Sequence, residues 1–527
     1  PEHDLANARY LLSFSGDFLE TGISPVHYAR EYGRMRGDRE TIRGKFVHFG
    51  PRLSMTAAAA DLFLPCAPGT EGFVALGVAH VMVRDRLTTA TAAAGRFADD
   101  LSAYSPEAVE RKTGVHARDI AAAAEEFARN QPGLAIAGTG AATGPDGAFQ
   151  CAAVALLNVL AGNVGKPGGV SFPNRAQAFA KYGAEAALLA PSPESGYAGM
   201  RAALEKMRGG AFRMAILSGA TNPAFTLPPS LKFNEALSKV PFVVAFASFL
   251  DETTSLADLV LPVPTGLEAW GDDLAPVGHA GAVTLCQPVV EPFHDTRSMP
   301  DVLIAAAKEL GGEPAKALPW GSFRECIEKA YGGPGGEMEK ALQRGGFFGE
   351  SSSARSAARK GNVALPKAAE RPIDGDPKAF PLALHLYPSI TLYDGRGANL
   401  PWLQEMPDPV STAVWRNWIE VNPKTAAGLG LAEGDGVTVT SPTGKIVAHV
   451  AFNPGIAPDV AAMPLGQGHT RYGKYANGRG ENPITLLPAG ETYALQATRV
   501  ALAKTKLSTT LARTGHPEGQ WKVKNMM

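Results

Sequence analysis

Residues 50–82 read GPRLSMTAAAADLFLPCAPGTEGFVALGVAHVM, and this stretch decides the fold. It opens on Gly50-Pro51-Arg52, immediately after residues 45–49 (KFVHF), which predict a strand. Residues 56–61 read as a short helical turn. Glu71–Arg84 (EGFVALGVAHVMVR) is apolar at helical spacing. A strand, a Gly-Pro turn and a helix in succession make the repeating unit of an open parallel α/β sheet. Working outward, residues 8–15 (ARYLLSFS) read as a buried strand and 25–35 as a helix with Pro25 in its first turn. Ser105 is placed to cap a helix that starts at Pro106, and 119–129 (DIAAAAEEFAR) is a further helix. Residues 1–131 are expected to form one dinucleotide-binding-like α/β domain.

The same grammar continues over 132–312. Residues 133–138 (GLAIAG) are a strand entering a Gly-rich turn, and 150–161 are an apolar helix. Residues 214–218, 241–247 and Leu259–Pro262 read as strands, so a second α/β domain is expected. Over 313–378 the pattern weakens. GGPGGE, SSSARSAARKGN and ERPIDGDP suggest an insertion or linker across the surface. From 379 to 505 the text changes to short strands: 385–387, Trp418–Val421, 436–441, Lys445–Phe452 and Val460–Pro464, with a hairpin turn at Ser441-Pro442-Thr443-Gly444. This is the pattern of a β-barrel. Residues 506–527 are expected to be an extended tail.

Composition bounds the function. The chain has 527 residues, 50 Lys+Arg against 51 Asp+Glu and a formal net charge of -1. That balance argues against a nucleic-acid-coating or polybasic membrane protein. The longest apolar runs, 151–162 and 240–250, are short of the ~18–20 residues that span a bilayer. Membrane association is therefore expected only through a partner. The chain opens at Pro1 and runs almost at once into a strand, which reads as a fragment or processed chain. Cys66, Cys151, Cys286 and Cys326 form no C-x-x-C pair, so no conventional cluster loop or zinc ribbon is visible. The eleven His residues show no metal-helix spacing, and His80, in an apolar helix, reads as a core residue.

Candidate binding residues follow from position. Arg52 lies where open α/β sheets bind ligands, and with Arg471 it carries a guanidinium suited to phosphate. Pro68-Gly69-Thr70 can turn backbone amides toward a ligand. Gly138, Gly140, Gly144 and Gly147 permit close approach, or alternatively only make the turns the fold needs. His469, Arg471, Tyr472, Lys474 and Arg479 sit in GQGHTRYGKYANGRGENP (466–483), which either lines a cleft or faces a partner.

Four phrases resemble the molybdopterin oxidoreductase superfamily, in that family's order: 50–82, LNVLAGNVGKPGGVSF (157–172), ETTSLADLVLPVPTGLEAWGD (252–272) and IEVNPKTAAGLGLAEGDGVTVTSPTGKI (419–446). The resemblance implies two Rossmann-like parallel-sheet domains followed by a C-terminal double-psi-type β-barrel, with the family's N-terminal part missing. It also implies a cleft lined by Arg52, Thr70, Glu71, Gly140, Asn163, His469 and Arg471. This chain departs from the family pattern at that cleft. Gly50 replaces the acid before Pro-Arg, and Glu71 replaces Asp after Pro-Gly-Thr. Cys66-Ala67 stands at a usual basic position, and TGPDG (143–147) stands where a His before Asn-Gly is common. These departures favour a vestigial cleft without catalytic residues or metal ligands.

Further phrases, SGDFLETGISPVHYAREYGRMR (15–36), TNPAFTLPPSLKFNEAL (221–237) and parts of 387–421, are similar to the branch of molybdopterin-binding-like subunits of menaquinone reductase and alternative complex III. That branch keeps the fold without the molybdenum cofactor. It implies as partners a multihaem cytochrome c, an iron–sulfur subunit and an integral membrane quinone-binding subunit, at the periplasmic face of the inner membrane. The aromatic stretch 398–418, with Trp402, Trp415 and Trp418, suits either an inter-subunit surface or the domain's own core. The expectation is a cofactor-less scaffold subunit that carries electrons to menaquinone only through its partners. The alternative is an active oxidoreductase holding bis-molybdopterin guanine dinucleotide, approached by Arg52, Thr70, Gly140, Asn163 and His469.

Overall fold

A computed structural model describes residues 1–37, 43–89, 91–172, 196–219, 221–274, 282–332, 337–348, 365–369 and 371–514. The first layer runs β1 (Tyr10–Phe14), α1 (Pro25–Gly37), β2 (Lys45–Gly50), β3 (Leu62–Pro65), α2 (Glu71–Arg84), α3 (Ala117–Arg129), β4 (Gly133–Ala137) and α4 (Gly147–Leu160). The sheet order is β3-β2-β1-β4, all parallel. Side chains alternate across a strand, so Leu12 and Leu11 of β1 serve opposite cores. Leu12, Phe14, Val47 and Phe49 pack under α2, α3 and α4. Leu11, Phe46, Leu134 and Ile136 pack against Tyr28 and Met35 of α1. Both faces of this sheet are therefore covered, as a parallel sheet requires. Helix α2 is apolar nearly all round because it is buried nearly all round. Ser105 caps its helix as expected, accepting from the Ala108 amide at 3.4 Å. Strand β3 (LFLP) has no counterpart in the sequence reading, although the like-patterned Leu259–Pro262 (LVLP) does.

The second layer contains α5 (Tyr197–Arg208), β5 (Ala215–Ser218), α6 (Phe233–Leu237), β6 (Val243–Ala247) and β7 (Leu259–Pro262), with β5-β6-β7 parallel. One face, through Leu217 and Val243, packs on Met207, Phe233 and Leu237. The register pairs Ile216 with Val244 and Val244 with Leu259 on the opposite face, where Ile216 and Leu259 remain 45 % and 41 % exposed. Met214 and Phe242, two residues before Ile216 and Val244, are exposed as well.

The expected linker is folded over its first part. Helices at Gly312–Ala317, Phe323–Ala330 and Glu337–Arg344 lead into a strand, Gly346–Phe348. That strand completes a small antiparallel sheet with Gly271–Leu274 and Ala282–Cys286. Ile327, Tyr331, Met338 and Ala341 share a core with Val283 and Leu285. Two short amphipathic helices framed by Gly-rich text hide their pattern from a composition reading. SSSARSAARKGN lies outside the described residues. Asp374 pairs with Thr498 at the barrel.

The last layer is a closed barrel of β8 (Leu382–Tyr387), β9 (Trp418–Val421), β10 (Gly436–Thr440), β11 (Lys445–Phe452), β12 (Val460–Pro464) and β13 (Arg499–Lys504), in the order β8-β12-β9-β11-β10-β13. Pairs β8/β12 and β9/β11 are parallel and the other pairs antiparallel. Alternation is clear in β10, where Val437 and Val439 enter the core. Trp418 is buried, Trp402 is exposed, and Trp415 lies under the Arg479 guanidinium at 4.2 Å, so the aromatic stretch divides between core and surface. The described start of the tail is docked, with Arg513 bridged to Ala413 and paired with Glu433. No helix among the described residues is long and apolar enough to cross a membrane.

Candidate functional site

In the first sheet the strand order reverses between β1 and β4, and ligand crevices open at such switch points, beyond the carboxyl ends of the strands. Here those ends are Ser15-Gly16 and Gly138-Thr139-Gly140. They touch each other directly: a Cβ on Gly138 would collide with the Gly16 Cα and the Ser15 carbonyl. The Gly138 amide donates to the Phe14 carbonyl at 3.1 Å.

Thr70, Glu71 and Gly140 gather at this crevice. Thr70 precedes α2, but its hydroxyl donates back to the Ala67 carbonyl at 2.6 Å. Glu71 is fully buried and accepts from the Ser15 hydroxyl at 2.6 Å. Burial pushes its carboxyl above the ordinary value, against the pull of Ser15 and the local backbone amides. Its Oε2 has no hydrogen-bond partner. The same burial, with Glu71 close by, drives the Cys66 thiol well up, so Cys66 is an inert core residue. Gly50 has no room for the missing acid, because a Cβ there would lie 2.9 Å from the His48 Nε2 and 3.3 Å from the Ser15 hydroxyl.

The barrel closes over this crevice with its own side chains. Gln496, fully buried, donates to the Gly140 carbonyl at 2.9 Å, and the Leu495 amide donates to the Thr143 carbonyl at 2.8 Å. Gln496 Oε1, like Glu71 Oε2, lacks a donor.

Arg52 does not face solvent or an open cleft. It is 5 % exposed and donates through Nε and NH2 to Glu420 of β9 at 2.8 and 3.1 Å. Its guanidinium lies 3.8 Å from the centre of the Tyr387 ring. Glu420 also accepts from the Tyr387 hydroxyl at 2.5 Å, Asn453 at 2.7 Å and the Trp418 indole at 3.3 Å. Burial opposes both charges. Even so, Glu420 is held below the ordinary carboxylate range and Arg52 well above its own, because each is the other's counter-ion.

Asn163 does not join the group. It donates to the Gly133 carbonyl at the amino end of β4, one strand length from the crevice. The Gly-Asn-x-Gly turn that ends α4 returns to the start of β4, the strand preceding that helix, which a linear motif does not reveal.

His469 and Arg471 lie on the glycine-rich segment 466–483, a strap over the end of the second sheet. His469 is 2 % exposed and stacked on Phe225 with ring centres 3.7 Å apart and planes 10° from parallel. Its Nε2 is 3.1 Å from the Gly395 carbonyl and its Nδ1 3.1 Å from Glu252. The Arg471 side chain is exposed, and only its amide is engaged, with Glu252 at 3.1 Å. Beneath the strap is a cavity of about 100 Å³ lined in part by Asn222, Asp251, Asp394 and Tyr472. An open groove of about 610 Å³ runs along its barrel side past Lys445, Thr470 and Asn482. Among the described residues no three His, Cys, Asp or Glu side chains come together as metal ligands.

Glu420, Gln496, Tyr387 and Glu252 carry this architecture, and sequence reasoning gave none of them a role. Two signals were available: Glu420, a charge between Ile419 and Val421 in an otherwise apolar strand, and Glu252, which opens the family phrase 252–272.

Comparison with known proteins places these features. The family described as Molybdopterin oxidoreductase matches residues 1–309, and the Molydopterin dinucleotide binding domain matches 402–497. The menaquinone reductase molybdopterin-binding-like subunit of Nitratidesulfovibrio vulgaris (strain Hildenborough) is 31 % identical over 494 residues, covering 92 % of this chain and 68 % of that subunit. The arsenate respiratory reductase molybdopterin-containing subunit of Shewanella sp. (strain ANA-3) is 24 % identical over 611 residues, covering 91 % and 71 %. The solved structure of acetylene hydratase from Pelobacter acetylenicus matches with a TM-score of 0.71 at 17 % identity, covering 96 % of this chain and 79 % of that one, a likeness of fold.

Proposed function

The chain belongs to the molybdopterin oxidoreductase family, and from that premise we propose that it is a non-catalytic, cofactor-less scaffold subunit of a membrane-bound respiratory complex that passes electrons from a periplasmic cytochrome c to menaquinone. The observation that carries this reading is the Arg52–Glu420 pair. The Arg52 cation at the crevice is already neutralised by a carboxylate of the barrel and so is engaged before any phosphate could reach it. Three features of the crevice weigh against a pterin dinucleotide. Gly50 admits no acid, Gly16 and Gly138 touch, and Gln496 fills the space over Gly140. The relative that shares 31 % identity is named a subunit of menaquinone reductase, which supports the choice of complex.

In this reading the redox chemistry belongs to a multihaem cytochrome c subunit, an iron–sulfur subunit and an integral membrane quinone-binding subunit. They hold this chain at the periplasmic face of the inner membrane. The α/β layers and the barrel supply fixed surfaces for those carriers.

One observation favours a second reading, an active enzyme with bis-molybdopterin guanine dinucleotide. Glu71 Oε2 and Gln496 Oε1 are buried acceptors without donors, beside glycines that permit close approach. Such acceptors suit a donor-bearing base. Metal and pterin analysis of the complex purified from its source separates the two. The scaffold reading expects molybdenum and tungsten far below one atom per chain and no extractable pterin. Stoichiometric metal with pterin would overturn it.

A further inference from the structure

The strap 466–483 is rich in glycine. Gly466, Gly468, Gly473, Gly478 and Gly480 all hold positive φ, and glycine gives the unfolded segment the greatest freedom to lose. Its own bonds knot residues 468–479 together: the Gly468 amide donates to the Arg479 carbonyl at 2.8 Å, the Gly478 amide to the His469 carbonyl at 3.0 Å, the Tyr472 amide to Asn477 Oδ1 at 2.6 Å and Arg479 Nε to the Tyr475 carbonyl at 2.6 Å. Both ends of that knot are anchored to the barrel domain, Gln467 to Gln404 at 2.8 Å and Glu481 to the Val447 amide at 2.8 Å, and the Tyr472 hydroxyl donates to the Arg396 carbonyl at 2.8 Å.

We propose that Glu252 is the catch that ties the strap to the second α/β layer, locking it through His469, Thr470 and Arg471. Glu252 lies in the loop after β6. Its Oε1 accepts from the Thr470 amide at 2.7 Å and the Arg471 amide at 3.1 Å. Its Oε2 accepts from Asn222 at 2.7 Å and faces His469 Nδ1 at 3.1 Å. One carboxylate thus meets three consecutive strap residues, accepting from two backbone amides and facing the His469 ring nitrogen. Asn222 is fixed in turn, since its Oδ1 accepts from the Thr253 hydroxyl at 2.6 Å.

The catch has a seat for its bolt. His469 slides between Phe225, stacked at 3.7 Å, and the backbone of Gly395. Gly395 stands at φ +113, and a Cβ there would lie 2.6 Å from both His469 Nε2 and the Phe225 ring. Asn482, at the far end of the strap, donates to the Phe225 carbonyl at 2.7 Å. Thr470 and Arg471 remain exposed, so the bonds to Glu252 act at the surface and can open without unfolding the barrel. Release of the catch frees the strap and joins the cavity beneath it to the groove alongside.

Limited trypsinolysis of the full chain tests this, because Arg471, Lys474 and Arg479 place three cleavage sites on the strap. Glu252→Gln keeps the size but turns an amide toward backbone donors. Cleavage after Arg471 and Lys474 is expected to accelerate at least about tenfold, with cleavage elsewhere unchanged. Glu252→Asp, which keeps the charge, is expected to recover part of the protection. Strap cleavage at the wild-type rate in a folded Glu252→Gln chain would overturn the proposal. If that variant does not fold, His469→Phe decides instead. It keeps the stacking and removes the bond, so accelerated strap cleavage supports the catch and an unchanged rate overturns it.

Discussion

Replacing Glu420 by alanine is expected to lower the unfolding free energy by about 3–5 kcal/mol, read as an earlier urea midpoint. The size follows from what is left behind. Arg52 is 5 % exposed and Glu420 is the carboxylate to which it is hydrogen-bonded, Glu20 and Asp17 acting on it through charge alone, so the truncation leaves a buried cation without its bonded counter-ion. The Tyr387 hydroxyl and Asn453 amide lose their acceptor as well, at about 1–3 kcal/mol each when buried. Adding Arg52→Met to Glu420→Ala removes the stranded charge and is expected to return part of the loss. The test is a double-mutant cycle. If the two losses simply add, the pair is not coupled and the junction is held by packing alone. The residues are 368 positions apart in sequence, so the cycle measures how firmly the barrel is bound to the first sheet.

The same neighbourhood should make the protein less stable as pH rises. Burial, and then the charge of Asp17, push the Glu20 carboxyl from its ordinary 4.5 up to about 8, with Arg52 and Ser54 only partly offsetting them. Asp17 is raised too, chiefly by burial, so the two acids hold a proton between them in the folded chain. Glu20 Oε1 is shielded from solvent without a partner. Between the two values the unfolded chain releases a proton that the folded chain keeps. Stability is therefore full below about pH 4.5 as far as Glu20 is concerned, and falls as pH rises through about 8. The interval bounds the loss at about 5 kcal/mol. Glu20→Gln is expected to abolish this slope and to be more stable than wild type at pH 8.5. Urea midpoints at pH 5.5 and 8.5 measure it, and equal slopes in the two proteins would refute it.

The fold was largely legible because its decisive signals are local. An apolar run such as Glu71–Arg84 has its period written in fourteen residues, and Lys445–Phe452 and Val460–Pro464 are bounded by turns. The site was less legible because its geometry is made by distant pairs. Arg52 was named for phosphate, yet its meaning depends on Glu420, which no spacing rule connects to it. His469 was named for a cleft, and both its nitrogens face protein acceptors from other elements. Asn163 was carried by a motif whose turn points to the opposite end of the strand. Glycines were legible as close approaches, but whether a ligand or another backbone approaches is decided only in three dimensions: at Gly138 it is Gly16.

The partly exposed side of β5-β6-β7, where Val244 and Phe246 are buried but their neighbours are not, bears on how this polypeptide behaves in a test tube. Colloidal stability comes from like charges keeping molecules apart, and a formal net charge of -1 over 527 residues supplies almost none. Met214, Ile216, Phe242 and Leu259 are therefore free to find their counterparts on a neighbouring molecule. Scattered light per unit mass should climb with concentration for the isolated chain, and Ile216→Lys with Leu259→Glu should flatten that climb. Low turbidity at high concentration without those changes would mean the sheet's second side is not adhesive after all.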